Sequence, residues 1–387
     1  MISRALLNAP FFIPKDADLL RNRKVNTKKR QNRHLPELAF LILGTYFTAP
    51  FFILCPEKLW YDINKNRFNH KTINRRRKNM QNPEILIIGA AIIDILARPV
   101  NTKVFDTGSY PVEDIHMTTG GDALNEATIL AKTGHKVQLE TVIGEDEAGK
   151  FILNHCRECG MVIRNESVRN EQITGMNVVL VDENGSRSFL TNPYGTLRSL
   201  RKEYIRMPFP DSVKIVCFAS IFVFPEIGPV ELKDIFRIAK RQGKIVCADM
   251  TKRKKDETIK DMADAFSYID YLFPNDEEAM LLTKTRNVEE AAEQIKHTGV
   301  GNVVIKCGKR GCYVRTDEDK YWIPALEDVE CIDTTGAGDS FAAGFMSALL
   351  AGRSVIECAE EGNRYGAKAV QYVGSTEWLR HEILDGK

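Results

Sequence analysis

The residues with the most evident chemistry lie in the run Asp333-Thr334-Thr335-Gly336-Ala337-Gly338-Asp339-Ser340-Phe341, which leads into the apolar stretch ending near Leu350. Glycines at 336 and 338 let a tight turn bring successive N–H groups to one point, and a helix starting there adds its positive end, so the segment suits a phosphate. The run has no Gly-Lys-Ser/Thr ending and so is not a Walker-type loop. Asp339 needs a reason to stand beside an anion site. One is to act as general base toward a hydroxyl that attacks phosphorus; the other is to cap the helix N-terminus.

Two further segments carry polar residues in suggestive places. In Gly120-Gly121-Asp122-Ala123-Leu124-Asn125 the glycines permit close backbone approach to a ligand, and Asn125, one helical turn on, offers both donor and acceptor to a polyol. Gly89-Ala90-Ala91-Ile92-Ile93-Asp94 reads as a strand end, and its Asp94 is a lone carboxylate in an apolar setting that suits either a structural role or a grip on two sugar hydroxyls. Cys156 and Cys159 with neighbouring His155 lack a second pair and read as packing residues of one helix face. The run Lys252-Arg253-Lys254-Lys255 reads as a solvated loop.

The elements that must position these groups follow from periodicity. Short Val- and Ile-rich runs at Glu84–Ile88, Val137–Val142, Lys214–Phe218, Lys244–Ala248, Tyr271–Phe273 and Asn302–Ile305 predict buried strands. Stretches at Asp122–Thr133, Asp146–Cys159, Val230–Gln242, Asp276–Leu282, Val288–His297 and Asp339–Leu350 predict helices between them. Such alternation predicts a mostly parallel sheet with helices on both faces and ligands beyond the strands' carboxyl ends. Pro99–Asp106 and Thr174–Phe189 break the rhythm with polar–apolar alternation, and Asp182-Glu183-Asn184-Gly185 is a hairpin signal. Together they predict a small β-lid from about 99–118 and 172–191.

Composition separates the amino-terminal part from the rest. Residues 1–79 hold 17 Lys and Arg against 5 Asp and Glu, whereas the remaining 308 hold 37 against 47. The acidic majority argues against nucleic acid as partner, since a duplex binder needs a net basic face. Nine cysteines without regular spacing point to reduced thiols and a cytoplasmic setting. Within 1–79 the uncharged stretch 38–56 has the length of a membrane-span candidate, but Pro50 interrupts it and membrane attachment is not expected. The segment otherwise reads as a disordered basic extension or a mis-assigned leader. Arg75-Arg76-Arg77-Lys78-Asn79 can be encoded by a purine-rich tract like a bacterial ribosome-binding site, so the working domain is expected to run from Met80 to Lys387.

Taken together, Asp94, the Gly120–Gly134 segment and Asp333–Phe345 resemble the ribokinase-like (PfkB) carbohydrate kinase family over about residues 83–380, with Asn275-Asp276-Glu277-Glu278 fitting its Asn-x-x-Glu element. The resemblance implies an α/β fold, a ribokinase-like three-layer sandwich with a central mostly parallel sheet and a β-lid. It implies Asp339 as catalytic base, Gly336, Ala337 and Gly338 as anion hole, and Asp94, Gly120, Gly121 and Asn125 around the sugar. Asn275, Glu278, Lys306, Gly308 and Asn363 would lie near nucleotide and Mg2+, and Asp333 and Thr335 would bind a monovalent cation, K+. ATP and a small sugar are the implied ligands, and a homodimer through the lid the implied assembly. Asp122 beside the pocket disfavours an anionic acceptor, which points to a neutral pentose or ketohexose. A 2-keto-3-deoxygluconate kinase, a nucleoside kinase with Phe189, Tyr194 and Phe222 near the base, and a catalytically silent sugar-binding regulator are the alternatives.

Overall fold

The computed structural model describes residues 82–384 except 184, and side chains to residue 381. The expectations for 1–79, including the membrane-span candidate, lie outside the described residues. In chain order the strands are β1 (Ile85–Ile88), β2 (Ile92–Arg98), β3 (Asp114–Gly120), β4 (Val137–Glu140), β5 (Ile143–Gly144), β6 (Val162–Ile163), β7 (Val168–Arg169) and β8 (Met176–Val181). They continue as β9 (Arg187–Thr191), β10 (Ile215–Ile221), β11 (Ile245–Met250), β12 (Tyr271–Leu272), β13 (Asn302–Lys306), β14 (Cys312–Arg315) and β15 (Lys320–Ile323). The helices are α1 (Asp122–Lys132), α2 (Glu147–Cys159), α3 (Pro229–Arg241), α4 (Ile259–Phe266), α5 (Asp276–Thr283), α6 (Val288–Lys296), α7 (Ala337–Leu350), α8 (Val355–Ala369) and α9 (Trp378–Leu384).

Nine strands form one sheet in the order β15-β14-β13-β12-β11-β10-β1-β4-β6. From β13 to β6 every pairing is parallel, and β14 and β15 close the edge antiparallel. A strand covered on both faces must be apolar at successive positions, and β1 (Ile-Leu-Ile-Ile) is fully buried along its length. Ile85 and Ile87 pack with α1, α2, α7, α8 and α9 on one face; Leu86 and Ile88 pack with α3 to α6 on the other. Each such side chain contributes about 1.5–3 kcal/mol on leaving water, so this strand anchors both outer layers.

A second sheet has the order β3-β2-β8-β9. Its hairpin β8–β9 turns at 182–186, where Asp182 N donates to Ser186 O at 2.9 Å. The strand expected at Pro99–Asp106 lies earlier, in β2, while Thr102–Phe105 is a short 3-10 turn. The side chain of Asn101 accounts for this by accepting Lys103 N–H at 3.0 Å, which offers the backbone a turn in place of a ladder. Asp146 caps α2 through Gly149 N (2.8 Å) and also accepts Thr174 N (2.8 Å) and Thr174 Oγ1 (2.6 Å), tying the approach to β8 to the main layer.

The described cysteines are free thiols. Burial pushes the Cys156 thiol up to about 12, an inert packing group on α2. Among the described residues, no helix is long and apolar enough to cross a membrane.

Candidate active site

The parallel strands deliver their carboxyl ends to one side of the sheet, and the polar groups collect there. β11 ends near Asp249, β13 ends at Lys306, and β10 carries Ser220. The amino-terminal turns of α1 and α7 arrive at the same place with Asp122, Asn125 and Asp339. From the second sheet come Asp94, Asn177 and Arg187; the first two are cross-strand partners on β2 and β8.

Asp339 does not cap its helix. The N-cap of α7 is Gly336, and the Asp339 carboxylate turns to accept Asn125 Nδ2 at 2.7 Å. Ser375 Oγ donates to Asn125 Oδ1 at 3.0 Å, which fixes the amide with its nitrogen toward Asp339. Burial and the Asp122 carboxylate push the Asp339 carboxyl well above the usual range, Asn125 draws it back, Asp249 adds to the rise and Lys306 opposes it. The residue as a whole is half-buried, while its carboxyl is enclosed enough for burial to be the main cause of the rise.

Gly336 adopts φ 71°, a left-handed conformation, and a Cβ there would stand 2.4 Å from Ser375 Cβ. Glycine therefore answers both the backbone and the packing at this turn. The first-turn N–H groups of α7 have no intrahelical carbonyl to bind, although Ala337 N reaches Thr334 O at 3.2 Å. Lys306 lies against the same turn: its Nζ would be 3.2 Å from a Cβ built on Gly338. Its ammonium is ion-paired with Asp249. Burial works against the charge on Lys306, but Asp249, Glu278 and Asp339 outweigh it and hold its pKa above the ordinary value. Burial raises Asp249 to about 7, with Lys306 restraining the rise and Glu278 adding to it. One ammonium is thus shared among several carboxylates and stays charged while they compete for it.

Asp94 lies directly over Gly120. A Cβ on Gly120 would meet Asp94 Oδ2 at 2.1 Å, so only glycine leaves the carboxylate its place. Asp94 sits mid-strand in β2 and accepts Asn177 Nδ2 at 3.0 Å. Burial raises its pKa, while Asn177 and Arg187 lower it and Asp122 adds to the rise. Gly121 is the N-cap of α1, and Asp122 accepts Ser220 Oγ at 2.6 Å. Glu126, fully buried one turn further along α1, accepts the Cys217 thiol at 3.3 Å; burial, Asp249 and Asp339 push its carboxyl well above the usual range.

Other expected site residues are engaged in the scaffold. Asn275 and Glu278 form a reciprocal capping box on α5, with Glu278 N to Asn275 Oδ1 at 2.8 Å and Asn275 N to Glu278 Oε2 at 2.9 Å. Glu278 is nonetheless buried in the field of Lys306, with its pKa raised by that burial. Gly308 begins the 3-10 turn Gly308–Arg310 after β13. Asn363 on α8 donates to Ile323 O (3.2 Å) and Pro324 O (3.0 Å), fastening the end of β15. Asp333 and Thr335, expected to take a monovalent cation, are bonded to each other: Thr335 N and Oγ1 donate to Asp333 Oδ1 at 3.0 and 2.9 Å. Asp333 Oδ2 accepts Gly374 N at 2.8 Å and pairs with the Arg187 guanidinium, so this carboxylate is already furnished with donors and does not fit a K+ ligand. Asp249, Asn177, Arg187 and Ser375 were not foreseen. Each enters alone from a distant element, without a local spacing that would have marked it.

A glycine turn with a lysine against it, a base candidate bonded to a side-chain amide, and a carboxylate in a second sheet have the chemistry to hold a phosphate and an alcohol. Comparison with known proteins agrees with that chemistry. Residues 82–381 match the pfkB family carbohydrate kinase profile. The chain is 28% identical over 301 residues to 2-dehydro-3-deoxygluconokinase of Bacillus subtilis, spanning 70% of this chain and 86% of that one. It is 27% identical over 311 residues to ribokinase of Haemophilus influenzae, spanning 78% and 97%. A putative ribokinase II from E. coli, solved in complex with ATP and Mg2+, shares the fold with a TM-score of 0.66 at 20% identity, covering 78% of this chain and 99% of its own. The chain belongs to the pfkB family of carbohydrate kinases and is an ATP-dependent sugar kinase.

Proposed function

We propose that the enzyme phosphorylates a primary hydroxyl of a small neutral sugar, a pentose or ketohexose. The observation that carries this is the 2.7 Å hydrogen bond from Asn125 to Asp339, which joins a polyol-binding amide to a carboxylate able to take a proton. In the reaction the sugar oxygen forms a bond to the terminal phosphorus of ATP as the bond to the ADP oxygen breaks. The hydroxyl proton passes to Asp339. Lys306 and the turn Gly336, Ala337, Gly338 face the charge on the transferring group. Asp94, with Gly120 beneath it and Asn177 beside it, grips sugar hydroxyls, and the second sheet acts as the lid that excludes water.

Magnesium fits as an ion that arrives on ATP. Among the described residues no group of three His, Cys, Asp or Glu side chains could cage a cation, whereas Asp249 and Glu278 are buried carboxylates in one electrostatic neighbourhood. Such a donor set suits a cation that keeps waters and phosphate oxygens. Bound there, it would neutralise phosphate charge. Glu278 would bear on its hydration, held in place by its capping box with Asn275, and Gly308 and Asn363 would support the nucleotide side from the scaffold.

The acidic surroundings, Asp94, Asp122 and Asp339, support a neutral acceptor. One observation favours a second substrate, 2-dehydro-3-deoxygluconate: Arg187, while paired with Asp333, also acts electrostatically on Asp94, so its positive field reaches the side where the acid's carboxylate would lie. The nucleoside alternative gains no such support, because Phe189 and Tyr194 are 56% and 86% exposed. ADP release should be screened over neutral pentoses, hexoses, 2-dehydro-3-deoxygluconate and nucleosides. Asp339→Asn should lower turnover on the best substrate roughly 10²–10⁴-fold with ATP binding retained. Turnover near wild type would remove Asp339 from the base role, and ligand binding without ADP release would favour the silent regulator.

A further inference from the structure

The Asp333 carboxylate has two oxygens and about four acceptor directions. Thr335 N and Thr335 Oγ1 take Oδ1, and Gly374 N and the Arg187 guanidinium take Oδ2. The pair is well enclosed, with the Arg187 side chain 15% and the Asp333 side chain 9% exposed. Asp333 begins the turn that leads into α7, three residues before Gly336, whereas Arg187 opens β9 of the second sheet. A cavity of about 600 Å³, lined by Arg98, Glu113, Val181, Arg187, Ile332 and Asp333, opens beside the pair. Small ions therefore have a route to it.

We infer that Arg187 is a built-in cation for the phosphate-binding turn, standing in for the monovalent ion that this position would otherwise take. A guanidinium cannot be deprotonated, so it supplies a permanent positive charge; here one nitrogen, Nη2, holds it to Asp333 Oδ2. Two consequences follow. The enzyme does not need K+. The turn also has its counter-charge only while the second sheet is closed onto it, so closure over the sugar and ordering of the phosphate site become one event. Arg187 is a positioning residue: it acts through Asp333 and not on the reacting atoms.

The test compares KCl with tetramethylammonium chloride at equal ionic strength, on the full chain. An ion that binds the folded state raises the unfolding midpoint, so the wild-type midpoint should not respond to K+; this arm needs no sugar and stands whichever acceptor proves correct. ADP release with the best substrate of the panel should be equally indifferent. Arg187→Ala should lose on the order of 10–100-fold in turnover, the usual cost of losing a group that orients a site. Added K+ or millimolar guanidinium should restore part of that loss, and K+ should then raise the variant's midpoint. A purely structural role would not give ion-specific rescue. A wild type whose midpoint or turnover rises with K+ overturns the inference, as does an Arg187→Ala enzyme of full activity in tetramethylammonium or one that neither ion rescues. If the variant does not fold, the wild-type arm decides alone.

Discussion

In the proposed base role, Asp339 is tuned by what surrounds it. Its carboxyl is driven up by burial and by Asp122, and held down by Asn125. The basic form is the ionised one, so turnover should fall as pH drops through this raised pKa, and the acid limb should lie above the ordinary carboxylate value of about 4. Asn125→Ala removes a hydrogen bond that favours the ionised form; the limb should move to higher pH, read from kcat against pH. A limb that stays put or shifts downward would mean that Asn125 does not hold the charged state. At this scale the grouping of the candidate residues was legible where neighbours in sequence share one turn, as in Gly336 to Asp339 and Gly120 to Asn125. It was ambiguous where one spacing serves two purposes: Asn-x-x-Glu at 275–278 is also a capping box, and the structure uses it as one. It was illegible for Asp249, Arg187 and Ser375, single side chains that only the topology brings in.

Among the elements, β2 and β3 set the place of the residues proposed to hold the sugar. Asp94 looked like the end of a strand, but the ladder continues to Arg98, which places its carboxylate within the second sheet and over Gly120. Gly120→Ala would put a methyl 2.1 Å from Asp94 Oδ2, and such overpacking costs about 1–3 kcal/mol. The expected outcome is a folded enzyme with a much higher KM for sugar and a smaller change in KM for ATP, measured by steady-state kinetics. An unchanged sugar KM would separate Asp94 from the acceptor. The alternation of strand and helix was plain in the sequence because the buried strands are apolar runs. The antiparallel pair β14–β15 was not foreseen, nor was the turn at Thr102–Phe105, where a local Asn101 hydrogen bond prevails over alternation.

For the molecule as a whole, the second sheet presents an apolar stripe to solvent. The register puts Ile95 opposite Met117, Ala97 opposite Ile115, and Val178 opposite Leu190, all on the face away from Asp94. Ile115, Met117 and Leu190 are 67%, 46% and 59% exposed. Contiguous exposed apolar surface favours association, and we expect a homodimer joined through this face. Light scattering should give twice the chain mass, and Met117→Lys with Leu190→Lys should halve it; a wild type that is monomeric at micromolar concentration would remove the stripe as an interface. The contacts made after α8 bear on how the site is held together. Gly374 N–H binds Asp333, while Ser375 binds Asn125 and fills the space over Gly336. The turn at 374–375 thus works as a clasp: without it Asp333, Asn125 and the Gly336 turn would keep their own elements but lose their mutual alignment.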